Sequence, residues 1–290
     1  MNDAVTCPLC AGDSRNLWEQ RGYPIRECAA CEHRFTSVAD AAAHIAAVYD
    51  DSYFTGGGAG YSNYLAEGEL LRKRGRRYAD IMTKVMGSAG SMIDVGAAAG
   101  FLLQGWQDRN WQGIGVEPNA SMVEYGRREL KLDMRCGSLE SLPVDSLPQV
   151  DCVAMIQVIS HFPDPKAAVT RAVQALKPGG YLLIETWDRS SRIARTCGRG
   201  WHEYSPPSVL HWFSRESLAD MAAQCGLSLV RSRRTLRWIG VGHAKSLLRH
   251  MAATSTMGRI ASIVATPIPS RLSIPYPGDD LFWSVFRKIT

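Results

Sequence analysis

The sequence predicts an α/β domain built around a largely parallel sheet, preceded by a small cysteine-rich element. Three observations support this prediction. From residue 91 onward, apolar β-type runs alternate with helical stretches, a rhythm typical of parallel sheets with helices on both faces. The run Met92–Gln104 reads as a strand, a turn of small residues and a helix. Two Cys-x-x-Cys pairs lie within the first 31 residues.

Length and composition limit the class of protein. The chain has 290 residues, enough for one large domain and an accessory element. Its 33 Lys and Arg against 28 Asp and Glu give a net charge of +5, which permits phosphate-bearing partners but does not require them. The sequence shows neither a signal segment nor an apolar run of about 18 residues. We therefore expect a cytoplasmic protein whose cysteines bind metal or remain thiols.

Residues 1–40 are predicted to form a zinc-ribbon-like element. Cys7 and Cys10 form one pair, and Cys28 and Cys31 repeat the spacing seventeen residues later. Two such pairs can direct four thiolates at one tetrahedral centre, the preference of a structural Zn²⁺. A redox pair is the competing interpretation, although one Cys-x-x-Cys is enough for that chemistry. His33 is a spare ligand, and otherwise we expect it on the surface.

Residues 41–66 are predicted to be a lid or linker segment. The glycines at 56–58 indicate a loop, and Tyr53 or Tyr61 is suited either to close over a pocket or to pack as an anchor. Residues 67–86 then read as a helix. The basic cluster at 72–77 on this helix is interpreted as a solvated face.

The remaining elements follow in order along the chain. We predict strands at 91–95, 112–117, 132–136, 150–159, 180–186 and 227–238. The helices predicted between them cover 99–109, 119–130, 165–176 and 214–225. Residues 281–288 form a last strand that could close the sheet antiparallel. Residues 241–272 read as a helical insertion, whose apolar and basic positions also suit a peripheral membrane contact.

The turn after the strand at 91–95 is suited to a nucleotide. Small residues at 96–100 let a ligand approach the backbone, and the N–H groups of the next helix face polar ligand atoms. About twenty residues further on, Glu117 ends the next strand, where a carboxylate can accept hydrogen bonds from both hydroxyls of a ribose. The dinucleotide fingerprint Gly-x-Gly-x-x-Gly fits poorly, because the turn reads Asp-x-Gly-x-Ala-x-Gly.

Several segments together resemble the motifs of class I S-adenosylmethionine (SAM)-dependent methyltransferases. They are Asp94–Gly100, Gly113–Pro118, Val150–Pro165 and Lys177–Glu185. Residues 207–226 resemble the segment before the sixth strand in a bacterial branch that often carries an N-terminal four-cysteine zinc ribbon. The resemblance implies a methyltransferase domain over 67–290. It also implies a Rossmann-like sheet of seven strands in the order 3-2-1-4-5-7-6.

The resemblance implies which residues hold SAM. Those that shape the cofactor pocket would be Asp94, Gly96, Ala98, Gly100, Glu117, Ser138, Leu139 and Gln157. Among them Glu117 would bind the ribose, Ser138 and Leu139 would flank the adenine, and Gln157 would face the methionine moiety. Two positions depart from the family pattern. Ser138 stands where many relatives offer an Asp to the adenine, and Ser160 stands where a Glu often precedes the histidine at 161.

Methyl transfer from a sulfonium mainly needs alignment and removal of the acceptor proton. For a hydroxyl acceptor, a neutral imidazole that acts as general base can accelerate the reaction roughly 10²–10⁴-fold. His161 follows the fourth strand beside the expected methyl position, and His211 lies in a turn-rich segment suited to the far wall of the pocket. We take both as candidate catalytic residues, with His202 and Glu203 as further candidates.

The acceptor is implied only by the resemblance, which favours a small molecule, a saccharide or a lipid-linked compound. Trp187, Trp201 and Trp212 could stack on such an acceptor, although buried packing is the ordinary role of tryptophan. One alternative is an RNA methyltransferase whose ribbon and basic helix grip the substrate. Another is a noncatalytic SAM-binding scaffold. The oligomeric state stays open.

Overall fold

A computed structural model describes residues 5–55, 64–235, 238–240, 273–275 and 278–289. Its strands are β1 Ser14–Gln20, β2 Tyr23–Cys28, β3 Arg34–Phe35, β4 Ser91–Val95, β5 Gln112–Glu117, β6 Met134–Cys136, β7 Val150–Ile156, β8 Leu176–Trp187, β9 His211–Trp212, β10 Leu227–Arg234, β11 Trp238–Gly240, β12 Ser273–Pro275 and β13 Leu281–Lys288. Its helices are α1 Ala41–Val48, α2 Asp51–Thr55, α3 Gly68–Met86, α4 Phe101–Gln107, α5 Ala120–Arg128, α6 Pro165–Ala175, α7 Arg192–Cys197 and α8 Arg215–Gln224.

Seven strands form the main sheet, in the order β6-β5-β4-β7-β8-β13-β10. Numbered within this sheet, that order is 3-2-1-4-5-7-6, so the predicted Rossmann-like arrangement is confirmed. Neighbouring pairs from β6 to β8 are parallel, whereas β13 runs antiparallel to both β8 and β10. The predicted antiparallel last strand is therefore also confirmed.

The main sheet separates two apolar clusters. Along β7, Val153 and Met155 belong to one cluster and Cys152 and Ala154 to the other, because successive side chains of a strand point to opposite faces. The first cluster continues into the N-terminal ribbon through Leu9. The ribbon therefore shares its core with the main domain.

The ribbon strands form a second sheet, in the order β1-β2-β3-β9. β9 comes from the loop that precedes α8, far along the chain from the ribbon. Phe35 pairs with His211 and Arg34 with Trp212. This pairing joins the cysteine-rich element to the main domain by backbone hydrogen bonds.

The predicted lid or linker segment contains helical structure. α1 begins after Asp40, whose side chain caps the helix by accepting from the backbone N–H of Ala43, and α2 follows directly at Asp51. Residues 56–63 and the predicted insertion at 241–272 lie outside the described residues, Tyr61 among them. The short strands β11 and β12 on either side of the insertion pair antiparallel. None of the helices described is long and apolar enough to cross a membrane.

Two glycines let α3 and α4 cross in close contact. A Cβ on Gly75 would lie 2.1 Å from the carbonyl oxygen of Leu102, and one on Gly105 would lie 2.1 Å from that of Arg72. The contact is reinforced by Asp108, which accepts hydrogen bonds from both Arg72 and Arg76. Part of the basic cluster predicted to be solvated is thus engaged in ion pairs within the chain.

Candidate active site

The glycine-rich turn leaves the carboxyl end of β4 at the centre of the main sheet. Gly96, Ala98 and Gly100 all adopt positive φ angles of 69°, 48° and 91°. A Cβ on Gly96 would lie 2.4 Å from a methyl group of Val158, so a larger residue does not fit there. The turn therefore needs residues without bulk, as the sequence predicted for a backbone approached by a ligand.

Glu117 ends β5 beside this turn and is 4% exposed. Its Oε2 accepts a hydrogen bond from the Ala98 backbone N–H at 2.9 Å, and its Oε1 accepts one from the Asn119 backbone N–H at 2.9 Å. Each carboxylate oxygen can accept more than one hydrogen bond. The two N–H donors therefore orient the carboxylate and leave acceptor capacity for two ligand hydroxyls.

Asp94, at the end of β4, is the second buried carboxylate of the pocket. It is 1% exposed, and its Oδ2 has no hydrogen-bond partner among the described residues. Burial and the nearby charge of Glu117 raise the pKa of Asp94 to about 7. Burial raises the pKa of Glu117 as well, against the two N–H donors. An orphaned buried oxygen and two mutually repelling carboxylates suit a ligand that brings positive charge and hydroxyl groups.

The loop after β6 lies next to Glu117, because the Gly137 backbone N–H donates to the Glu117 carbonyl at 2.9 Å. In this loop Leu139 is buried, whereas the hydroxyl of Ser138 accepts from the Ser141 backbone N–H at 3.2 Å. On the other side of β4, Gln157 follows β7 with a positive φ of 59°. The predicted cofactor residues thus lie at or just after the ends of four neighbouring strands, β6, β5, β4 and β7, at one edge of the sheet.

His161 lies in the loop after β7. Its Nδ1 is 2.6 Å from the backbone carbonyl of Ser208, which also accepts from the hydroxyl of Tyr49 at 2.8 Å. Because a carbonyl can only accept, Nδ1 carries a proton, and in the neutral ring Nε2 is then the basic nitrogen. Burial lowers the pKa of His161 below 6.5, opposed by the carbonyls of Ser208 and Gln157. The ring is therefore neutral at pH 7.

The segment α1–α2 lies against both parts of the site. The Asn119 side-chain N–H donates to the Tyr49 carbonyl and to Asp51, each at 3.1 Å. Beyond it, Phe54 and Tyr64 pack in one aromatic cluster with Phe101 of α4. Sequence analysis missed Asn119, Tyr49 and Ser208. Only Asn119 carried a local signal, as the N-cap of α5.

Residues 70–232 match the family described as "Methyltransferase domain", which covers more than half of the chain. The chain belongs to this methyltransferase family. Together with the sheet order, the match shows that residues 70–232 form a SAM-dependent methyltransferase domain. The resemblance to class I methyltransferases is thus confirmed.

Curated relatives of the methyltransferase carry the name ubiquinone biosynthesis O-methyltransferase. One from Rhodopseudomonas palustris is 32% identical over 155 residues, 47% of this chain and 60% of its own length. One from Bradyrhizobium sp. is 28% identical over 130 residues, 39% of this chain and 51% of its own length. The chain thus spans about half to three fifths of the length of these relatives.

Solved structures agree on the fold. The 1,6-didemethyltoxoflavin-N1-methyltransferase of Burkholderia thailandensis, solved with its substrate and S-adenosylhomocysteine, has a TM-score of 0.54 at 13% identity, covering 95% of this chain and all of that one. A SAM-dependent methyltransferase from Archaeoglobus fulgidus has a TM-score of 0.50 at 15% identity, covering 78% of this chain and 99% of that one. At these identities the likeness shows the fold alone.

The four ribbon cysteines of the methyltransferase come together. All four sulfurs lie within 4.8 Å of one another, and three Sγ–Sγ distances are 3.4, 3.4 and 3.7 Å. A tetrahedral Zn²⁺ with Zn–S bonds of about 2.3 Å needs sulfurs about 3.8 Å apart. The donor set therefore fits a structural zinc ion.

His211 lies in the short strand β9, which pairs with the ribbon strand β3. It is 1% exposed in β9, and its Nδ1 is 3.1 Å from Nε2 of His33. Burial lowers the pKa of His211 to about 4. The prediction that His33 lies on the surface is wrong, because β3 pairs with β9 and encloses the ring between Phe35 and Phe213.

The aromatic stretch after β8 is mostly packed inside the methyltransferase. Trp201 and Trp212 are 2% and 1% exposed, and the Trp201 indole N–H donates to Asp280 at 2.8 Å. His202 stacks edge-on against Trp187 and lies 3.3 Å from Glu203. Nearby, Glu185 of β8 is fully buried and pairs with Arg74 of α3 and with Thr235. Glu185 is the last residue of the motif-like segment Lys177–Glu185, but no residue close to it in sequence indicated that Arg74 and Thr235 would be its partners.

Proposed function

We propose that this methyltransferase moves the methyl group of SAM to a hydroxyl of a small-molecule acceptor, with His161 as general base. The observation that carries the proposal is the contact of His161 Nδ1 with the Ser208 carbonyl. It favours the tautomer in which Nε2 accepts a proton, and burial keeps the ring neutral near pH 7. When bound, SAM supplies an activated methyl group on a sulfonium.

The residues at the ends of β4, β5, β6 and β7 would hold the cofactor. Glu117 would accept hydrogen bonds from the ribose hydroxyls, and Asp94 would compensate the positive charge of the methionine moiety. Gly96, Ala98 and Gly100 would leave room for the ligand along the backbone, while Ser138 and Leu139 would border the adenine and Gln157 the methionine moiety. Burial and hydrogen bonding at one edge of the sheet support these roles.

A hydroxyl acceptor is supported by the relatives, whose printed name is that of an O-methyltransferase. A general base suits this acceptor, since a hydroxyl must lose its proton as the methyl group is transferred. Within this class we keep saccharides and lipid-linked compounds as finer possibilities. Trp187, His202 and Glu203 offer an aromatic and polar surface for such an acceptor after β8.

The basic helix weakens the RNA alternative. Arg72 and Arg76 both pair with Asp108, and Arg74 pairs with the buried Glu185. These guanidinium groups serve the contact of α3 with α4 and β8, so a phosphate backbone would have to compete with existing ion pairs. Ser160, which stands where relatives often carry Glu, bonds Thr186 at 2.8 Å and belongs to the scaffold.

We also propose that Cys7, Cys10, Cys28 and Cys31 bind one structural Zn²⁺, because their sulfurs lie close to tetrahedral spacing. The ribbon would then comprise residues 1–40, and the catalytic domain residues 67–290.

The test is to incubate the protein with methyl-labelled SAM and a bacterial extract, then to separate RNA, protein, lipid and small-molecule fractions. Label in the small-molecule or lipid fraction supports the proposal. Glu117→Ala should lose it, whereas Glu124→Ala, an exposed carboxylate on α5, should not. Label in RNA would replace the proposal with the RNA alternative, and SAM binding without any label would favour a scaffold.

A further inference from the structure

One segment, residues 208–212, lies between the ribbon and the loop that carries His161. The backbone carbonyl and the backbone N–H of Leu210 form hydrogen bonds with two different parts of the protein. Its carbonyl accepts from the Thr36 N–H of the ribbon side at 2.8 Å, and its N–H donates to the Ser160 carbonyl at 2.9 Å. This segment therefore spans the distance between the ribbon sheet and the residue next to His161.

The same segment supplies the group that orients the imidazole of His161. The Ser208 carbonyl, two residues before Leu210, accepts from His161 Nδ1 at 2.6 Å. A shift of the segment would move this carbonyl relative to the ring. A hydrogen bond weakens steeply with distance and angle, so the tautomer and direction of the base depend on where the segment lies.

The ribbon fixes the segment through a buried contact. Nε2 of His33 and Nδ1 of His211 are 3.1 Å apart, and both residues are at most 1% exposed. Arg34 adds a hydrogen bond to the Tyr204 hydroxyl at 2.7 Å. Ile25 of β2 is fully buried in a cluster with Trp212. A contact of this kind is a packed part of the fold, because both rings are buried, one nitrogen of each faces the other, and its apolar groups are enclosed.

We propose that the ribbon positions the general base: through Leu210 and His211 it holds the Ser208 carbonyl that orients His161. His33 and His211 are then positioning residues for methyl transfer. This inference rests on the proposed role of His161. It gives the cysteine ribbon a part in turnover, distinct from that of a docking module, which would act on acceptor binding.

Two variants of one residue separate these roles. His211→Phe keeps a flat ring among the aromatic neighbours but removes the hydrogen bond to His33. His211→Asn places an amide near the former Nδ1 and retains that bond, while it removes the imidazole. Arg15→Ala is the control on the ribbon, since the exposed side chain of Arg15 lies on β1, the strand of the ribbon sheet furthest from β9. SAM binding verifies that each variant is folded.

The first readout is the tautomer of His161, measured by nitrogen NMR of histidine-labelled protein at pH 7.5 and assigned by its loss in His161→Gln. The second is the rate of label transfer from SAM to the small-molecule fraction of extract. In His211→Phe we expect His161 to lose the Nδ1-protonated tautomer. The rate of label transfer at saturating SAM and acceptor should fall about tenfold, with KM for SAM within about twofold of the wild type. His211→Asn and Arg15→Ala should keep both tautomer and rate.

A His211→Phe protein with the wild-type tautomer and rate would overturn the inference, as would one in which only the KM for the acceptor rises. A slow His211→Asn that keeps the His161 tautomer would overturn it in favour of a direct role for His211. If His161→Gln itself transfers methyl groups at the wild-type rate, the proposed role of His161 as general base is wrong, independently of the ribbon.

Discussion

At the scale of single residues, the site is defined by two buried carboxylates. Asp94 and Glu117 are at most 4% exposed and lie at the carboxyl ends of the neighbouring strands β4 and β5. Glu117 is held by two backbone N–H groups, whereas one oxygen of Asp94 has no hydrogen-bond partner in the described part of the chain and the pKa of Asp94 is about 7. Charged carboxylates are costly to bury unless they are paired or hydrogen-bonded. The site thus has a built-in preference for a ligand with positive charge, as SAM has.

This preference predicts pH-dependent cofactor binding. Below pH 7 Asp94 is largely protonated in the ligand-free protein, and a cationic ligand must displace that proton. Affinity for SAM should therefore rise with pH, by up to about tenfold per unit below pH 7, and level off above it. Calorimetric titration between about pH 5.5 and pH 8 measures this slope. Asp94→Asn should bind more weakly and with a flatter profile. If SAM affinity in Asp94→Asn rises with pH as steeply as in the wild type, a group other than Asp94 releases the proton.

At the scale of elements, the ribbon is part of the main domain rather than an appendage. Its sheet takes in β9, and its core is continuous with one face of the main sheet. The cysteine spacing predicted the thiolate cluster, because the ligands of each pair are close in sequence. It could not predict the contact of His33 with His211, since 178 residues separate the two.

The ribbon predicts a defined metal dependence. We expect one Zn²⁺ per chain, measured by elemental analysis. Cys10→Ser should lose most of the metal and unfold at a temperature lower by several degrees, because metal binding to a structural site adds to folding free energy. Cys136→Ser changes an exposed cysteine outside the cluster and should leave both quantities unchanged. Full metal content in Cys10→Ser would contradict the four-cysteine site.

The crossing of α3 and α4 predicts a stability effect. Gly75→Ala would push a methyl group into the Leu102 carbonyl, so the helices must separate. We expect a loss of at least about 1–3 kcal/mol in the free energy of unfolding, measured by chemical denaturation. Gly200→Ala is the matched control, since a Cβ there meets no atom of the described residues within 4 Å. A neutral Gly75→Ala would mean that the helices lie further apart in solution.

At the scale of the whole molecule, much of the fold followed from local patterns. β4, β5 and β13 begin and end at the predicted residues, where apolar runs are bounded by turns and acids. β8 begins at Leu176 instead of residue 180, because Leu176 pairs with Val150 across the sheet. Helices α1 and α2 were missed, since their alanine-rich and aromatic sequence carries weak periodicity.

The candidate site, like the fold, could be predicted in part from local sequence patterns. Residues at the ends of strands, such as Asp94 and Glu117, could be found because the parallel sheet brings its carboxyl ends together. The groups that orient His161 could not. Ser208 lies 47 residues further along the chain and contributes its backbone carbonyl, which every residue type shares. The choice between His161 and His211 as the proposed base therefore depends on tertiary contacts.

The central claim is methyl transfer to a hydroxyl with His161 as base. The most direct test is the rate of label transfer as a function of pH, with SAM saturating at every pH so that its binding does not limit the rate. The neutral imidazole is the active form and its pKa lies below 6.5, so the wild-type rate should fall only below about pH 6.5. His161→Gln should be slower by roughly 10²–10⁴-fold and lose that acid limb, with KM for SAM little changed. His202→Gln should keep the limb. A His161→Gln enzyme with the wild-type rate and pH profile would contradict the account.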